Sequence, residues 1–129
     1  MTIKIPKQNW TAFLEDLGIR RFEWRTRIEV RGSKIGDHLV NRGMPLMGIS
    51  ARESGTDFVI RISYGGNAHF SHTITNPVSV AYLGKQGKAG GIVEFEEIDG
   101  TRTRVHIDEP AVLIEGMAEG TNSAALAVV

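Results

Sequence analysis

The chain has 129 residues, 41% hydrophobic and 23% charged, which fits one globular domain large enough for a core of its own. It has no cysteine, which excludes disulfides, thiolate zinc sites and a cysteine nucleophile. The 15 basic residues balance the 15 acidic ones, so whole-molecule attraction to nucleic acid or to an anionic membrane is not expected.

Residues 1–6 lack the long apolar core of a signal peptide, and no stretch approaches the length needed to span a bilayer, so a soluble, cytoplasmic protein is expected. Residues 7–17 read as a helix. Trp10, Phe13, Leu14 and Leu17 fall on one stripe, Pro6 lies where a helix can begin, and Gly18 follows as a stop. Trp10 and Phe13 read as core anchors. In residues 22–30 the period changes to two: Trp24, Thr26, Ile28 and Val30 share one face, while Arg25, Arg27, Glu29 and Arg31 share the other. A short strand over 38–42 follows, then a turn at Asn41-Arg42-Gly43 and a strand over 46–52, with Pro45 suited to a strand start or an edge.

Phe58, Ile60, Ile62 and Tyr64 alternate as the next strand, and Gly65-Gly66-Asn67 turns the chain into another over 69–75. Residues 78–83 continue the pattern, and 84–91 form a loop rich in glycine and lysine. Residues 92–98 and 101–107 make a hairpin around Asp99-Gly100, a pair preferred in two-residue turns, with Thr103, Val105 and Ile107 facing in and Arg102, Arg104 and His106 facing out. The predicted architecture is α+β and mostly β: one N-terminal helix packed on a curled antiparallel sheet or small barrel of about seven strands. It occupies residues 1–110, and 111–129 form a C-terminal extension, docked or disordered, ending in the apolar run 124–129.

Charge is unevenly placed. Residues 20–42 carry 7 basic and 3 acidic side chains, whereas 92–119 carry 8 acidic and 2 basic ones. Cross-strand ion pairs on solvated faces account for this directly, and a basic surface that meets a partner or the acidic half of a second copy is the sharper reading.

Signals for chemistry are weak. His69 and His72 lie three apart on a predicted strand and point to opposite faces; His69 could meet His106 only if their strands are neighbours, and no metal site is expected. Gly48-Ile49-Ser50-Ala51-Arg52 starts like a nucleophile elbow and lacks its final glycine, and a set drawn from Ser50, His72 and Asp57 has no further support. In the glycine-rich loop, Tyr82 stands where a phosphate loop needs glycine and Ala89 where it needs a hydroxyl. The aromatics fall on faces opposite the arginines of the first strand, which argues against a single-strand nucleic-acid groove. Arg21-Phe22-Glu23-Trp24-Arg25 has the Arg-x3-Arg spacing of PilZ domains, but their second element is not present.

Three stretches together resemble an uncharacterised family of small bacterial and archaeal proteins. They are Ile5-Pro6-x3-Trp10-x2-Phe13-Leu14, Pro45-Leu46-x-Gly48-Ile49-Ser50 and His72-x-Ile74-x2-Pro77. The resemblance spans residues 5–107 and implies no activity, cofactor or catalytic residue. Ser50 and His72 are polar groups on otherwise apolar strands. If buried they need partners, and a hydrogen bond between them would serve; lining an opening near Arg42, they would hold an anion. The leading expectation is therefore a non-enzymatic binding or interaction module that self-associates through edge strands or the tail. An anion or small-ligand binder using Arg42, Ser50 and His72 comes second, and a hydrolase third. No cofactor is expected, a protein partner beyond the homo-oligomer stays open, and a membrane or nucleic-acid partner is not expected.

Overall fold

The computed structural model describes residues 2–32, 36–67, 69–84 and 91–110, except for the side chains of residues 41, 42, 109 and 110. The expected 111–129 extension and most of the glycine-rich loop lie outside the described residues. Strand β1 (Thr2–Lys4) leads through a short 3₁₀ turn (Lys7–Asn9) into helix α1 (Trp10–Arg20). Seven strands follow: β2 (Trp24–Gly32), β3 (Gly36–Ser54), β4 (Asp57–Tyr64), β5 (Phe70–Thr75), β6 (Pro77–Leu83), β7 (Gly91–Glu97) and β8 (Arg102–Pro110). All pairings are antiparallel, in the order β1-β6-β7-β8-β2-β3-β4-β5. The α+β, mostly β architecture is as expected, with eight strands among the described residues and a curled sheet whose ends are not joined into a barrel.

The helix runs two residues past Gly18. Its apolar stripe reaches the core as expected, with Trp10, Leu14 and Leu17 buried. Gly18 does not stop it. A Cβ there would lie 2.8 Å from the backbone nitrogen of Ile49, so the absent side chain lets α1 lie directly on β3. The Trp10 indole N–H donates to the Ile5 carbonyl (2.8 Å), and the Thr11 hydroxyl donates to the Ala51 carbonyl (3.2 Å), which fixes the helix to the segment after β1 and to β3. The left-handed Glu23 (φ +69°) then separates the helix from β2.

The two short strands expected over 38–42 and 46–52 are one continuous strand of 19 residues, β3. Gly43 takes a positive φ (+76°) inside it instead of ending it. The partner changes there: residues up to Pro45 pair with β2, and residues from Leu46 pair with β4. Proline is tolerated in mid-strand because it sits where the partner changes, and its carbonyl is taken by the Gly65 N–H at 2.9 Å. The β7–β8 connection is also longer than two residues. The Gly100 N–H bonds the Glu97 carbonyl and the Glu97 N–H bonds the Thr101 carbonyl (both 2.9 Å), with Gly100 at φ +89°. This is the turn-plus-bulge arrangement that a positive-φ glycine permits.

One residue, Asn76, joins β5, at one end of the sheet order, to β6, the neighbour of the strand at the other end. That requires the sheet to curl. The core fills the curl: Ile28, Leu46, Ile60, Ile62, Ile74, Val80, Val93, Phe95 and Val105 are essentially inaccessible, and Trp24 and Phe58 pack against them half-buried. No helix among the described residues is long and apolar enough to cross a membrane.

Candidate functional site

The outer faces of β2, β7 and β8 carry a lattice of charge. Alternation places Arg27, Glu29 and Arg31 of β2 on the outer side because Thr26, Ile28 and Val30 point into the core. Register brings β8 alongside, setting Arg27 opposite His106, Glu29 opposite Arg104 and Arg31 opposite Arg102. On the far side of β8, Glu94 stands opposite Arg104 and Glu96 opposite Arg102. The basic segment 20–42 and the acidic segment 92–119 thus interleave, and cross-strand ion pairs account for much of their asymmetry.

Each arginine has turned toward an acid. Arg104 Nε lies 2.8 Å from Glu94, Arg31 Nε 3.1 Å from Asp37, and Arg102 Nη2 3.7 Å from Glu96. Arg31 and Arg104 both make their contact through Nε. Between the two outer pairs, Arg31 and Arg102 stand directly opposite each other with no acid between them in their row. Like charges in that position repel.

His106 is 8% exposed although it lies on the outer face, because Arg27 and Glu29 cover it. A guanidinium only donates, so Arg27 Nη2, 3.3 Å away, makes Nδ1 the acceptor, and Nε2 donates to Glu29 at 2.8 Å. This bond is the main reason the Glu29 carboxyl is held below its ordinary range; burial works against it, and the neighbouring cations reinforce it. The pair has the acid–histidine half of a hydrolytic triad. However, Arg27 occupies the nitrogen that would act as base, and no hydroxyl bonds the ring among the described residues.

Above the lattice lies a concavity of about 430 Å³. Arg27, Arg31, Arg102 and Arg104 line it with Glu29, Asp37 and Glu94, and Val30, His38 and Leu39 supply the rest of its wall. It therefore presents four guanidinium groups against three carboxylates.

Of the residues expected to form a site from sequence, Ser50 and His72 lie elsewhere, and Arg42 stands opposite Arg27 in register. Ser50 is exposed, in a row with Arg61 and Thr73 on the outer face. His72 lies in the row of Ile49 and Ile62, facing the core side, and burial lowers its pKa. Ser50 and His72 therefore stand on opposite faces and do not bond. Arg42 belongs to β3, and its side chain lies outside the described residues. Strands β5 and β8 are not neighbours, so no ladder joins His69 to His106. The sequence pattern shows the charged faces of β2 and β8. It does not show that the two strands are adjacent, and the only pointer to it is the opposite charge bias of the two segments.

Fold and surface together define an α+β, mostly β protein with an arginine-lined concavity on the outside of a curled sheet. The chain belongs to DUF5335, a family of unknown function, whose model matches residues 1–115. The match extends eight residues past residue 107, where the resemblance read from sequence ends, into the segment 111–129. No curated protein and no solved structure matches the chain.

Proposed function

We propose that this protein is a non-enzymatic binding module that holds an anionic small molecule of the phosphate or carboxylate class in the concavity over β2 and β8. The observation that carries this reading is the Arg31–Arg102 junction: two arginines directly opposite in register that both line a concave surface, flanked there by Arg104. An oxyanion seated there removes the like-charge repulsion and accepts charge-assisted hydrogen bonds from arginines already oriented by Asp37 and Glu94. The blocked ring nitrogen of His106 favours binding over hydrolysis.

Thermal melting with phosphate, pyrophosphate, citrate and ATP at fixed ionic strength tests the reading. A true ligand at about one hundred times its Kd stabilises by about 2.7 kcal/mol. The wild type is expected to melt higher with at least one of these anions, and Arg31→Gln/Arg102→Gln to lose that rise while keeping its own melting transition. No rise with any of them, or an equal rise in the variant, refutes it.

A further inference from the structure

The two ends of the sheet are built differently. At one end β1 has three residues, includes Lys4, and is followed at once by Pro6, so it offers little to pair with. At the other end β5 has six residues, Phe70-Ser71-His72-Thr73-Ile74-Thr75, without a lysine, arginine, acid or proline. It bonds β4 in unbroken register on one side, whereas four of the other pairings contain a bulge. Its other side has no backbone partner among the described residues. Ser71, Thr73 and Thr75 are exposed, and Phe70, 46% exposed, stacks on Tyr64 at 5.9 Å. Natural edge strands are normally shortened, charged, bulged or covered, and β5 has none of the first three devices.

We infer that β5 is the docking edge for a second copy of this chain, paired antiparallel with its own β5 about a two-fold axis. An isologous contact uses the same strand twice and closes at two subunits. An axis perpendicular to the sheet at His72 sets Phe70 opposite Ile74 of the partner subunit in register, with Ser71 opposite Thr73 on the exposed face. The strand carries no charge, and the whole chain has a formal net charge of zero, so neither local nor long-range repulsion opposes the encounter. A second copy accounts for β5 better than a charged partner would, because β5 offers no complementary charge to read.

Sedimentation velocity and light scattering between about 1 and 500 µM, a range that brackets a micromolar Kd, test this on the full chain. The wild type is expected to pass from monomer to dimer mass across the range. Hydrogen exchange at the two extremes is expected to slow at high concentration within residues 70–75 and not within 2–4. Ser71→Lys/Thr73→Lys changes only exposed side chains, sets like charges across the two-fold axis, and is expected to halve the mass at the top concentration. Its far-UV dichroism and melting show that it folds, and a single Thr73→Lys variant gives the same reading if the double variant does not. Four results overturn the inference: a wild-type monomer throughout, an undiminished dimer in the lysine variants, concentration-dependent protection outside 70–75 alone, or a dimer abolished only by deleting residues 116–129.

Discussion

Replacing Asn76 with alanine should loosen the corner that brings the two ends of the sheet together. The Asn76 N–H donates to the Phe58 carbonyl at 2.7 Å. Its side-chain oxygen accepts from the Phe58 N–H at 2.8 Å, and its amide donates to Asp57 at 2.8 Å. The residue holds this position at φ +53°, which asparagine tolerates and alanine does not. Alanine adds about 1–2 kcal/mol of left-handed strain. It also removes two side-chain hydrogen bonds worth about 0.5–1.5 kcal/mol each in a typical setting, discounted toward the lower value because both are exposed. The total is about 2–3 kcal/mol, or roughly 8–12 °C in Tm for a domain of this size. Asn76→Gly separates the two effects: it relieves the strain, loses the same bonds, and should cost only about 1–2 kcal/mol. Urea unfolding of the three proteins measures this through the midpoint at constant slope. Equal stability of the alanine and glycine variants would show that backbone conformation is not what holds the corner.

Gly18→Ala should destabilise although alanine is the better helix former by about 1 kcal/mol, because its Cβ meets the Ile49 backbone nitrogen at 2.8 Å and overpacking costs about 1–3 kcal/mol; a higher midpoint in urea refutes the close-packing account. Two buried threonines should respond with opposite sign to replacement by valine. The Thr103 hydroxyl is buried without a partner, so Thr103→Val should stabilise by about 1 kcal/mol, whereas Thr26 donates to the Met44 carbonyl at 2.8 Å and Thr26→Val should destabilise by about as much; calorimetry of the pair decides it. Burial holds the His72 pKa below 6.5, so at acid pH the unfolded chain binds a proton more readily than the folded one, and stability falls as pH drops below 6.5. His72→Leu should therefore lose less Tm than the wild type between about pH 7.5 and 5, and an equal loss counts against a role for this ring.

Periodicity makes the strands legible where side chains alternate without interruption. β4 shows this best: Phe58, Ile60, Ile62 and Tyr64 do line the interior. Legibility fails where backbone geometry serves a distant contact. Gly18 has the placement of a helix stop, yet it serves the approach of β3, more than thirty residues later in the chain. Gly43 and Pro45 look like punctuation between two strands, yet they mark the place where one long strand exchanges partners, which a one-dimensional pattern cannot distinguish from a turn. Asn76 is similar. Its neighbour Pro77 suggests a break, but only the strand order reveals that the break joins opposite ends of the sheet.

The charged surface over β2 and β8 is half legible for the same reason. Alternation alone puts Arg27, Arg31, Arg102 and Arg104 on wet faces, but whether they meet acids or one another depends on the β2–β8 register. That register decides more than geometry. A surface selected only for stability gains most by setting acid opposite base along every row, as Arg104 and Glu94 are set, with their groups 2.8 Å apart. The next row runs Asp37, Arg31, Arg102, Glu96 and breaks that rule at its centre. Local departures from an otherwise consistent pattern concentrate where a protein does something other than fold. Here the departure coincides with a concavity, and flanking carboxylates hold two of its guanidinium groups through Nε. An anion relieves repulsion between two arginines at this junction, whereas Ser50 and His72, the polar residues that first stand out in the sequence, lie on opposite faces of the sheet.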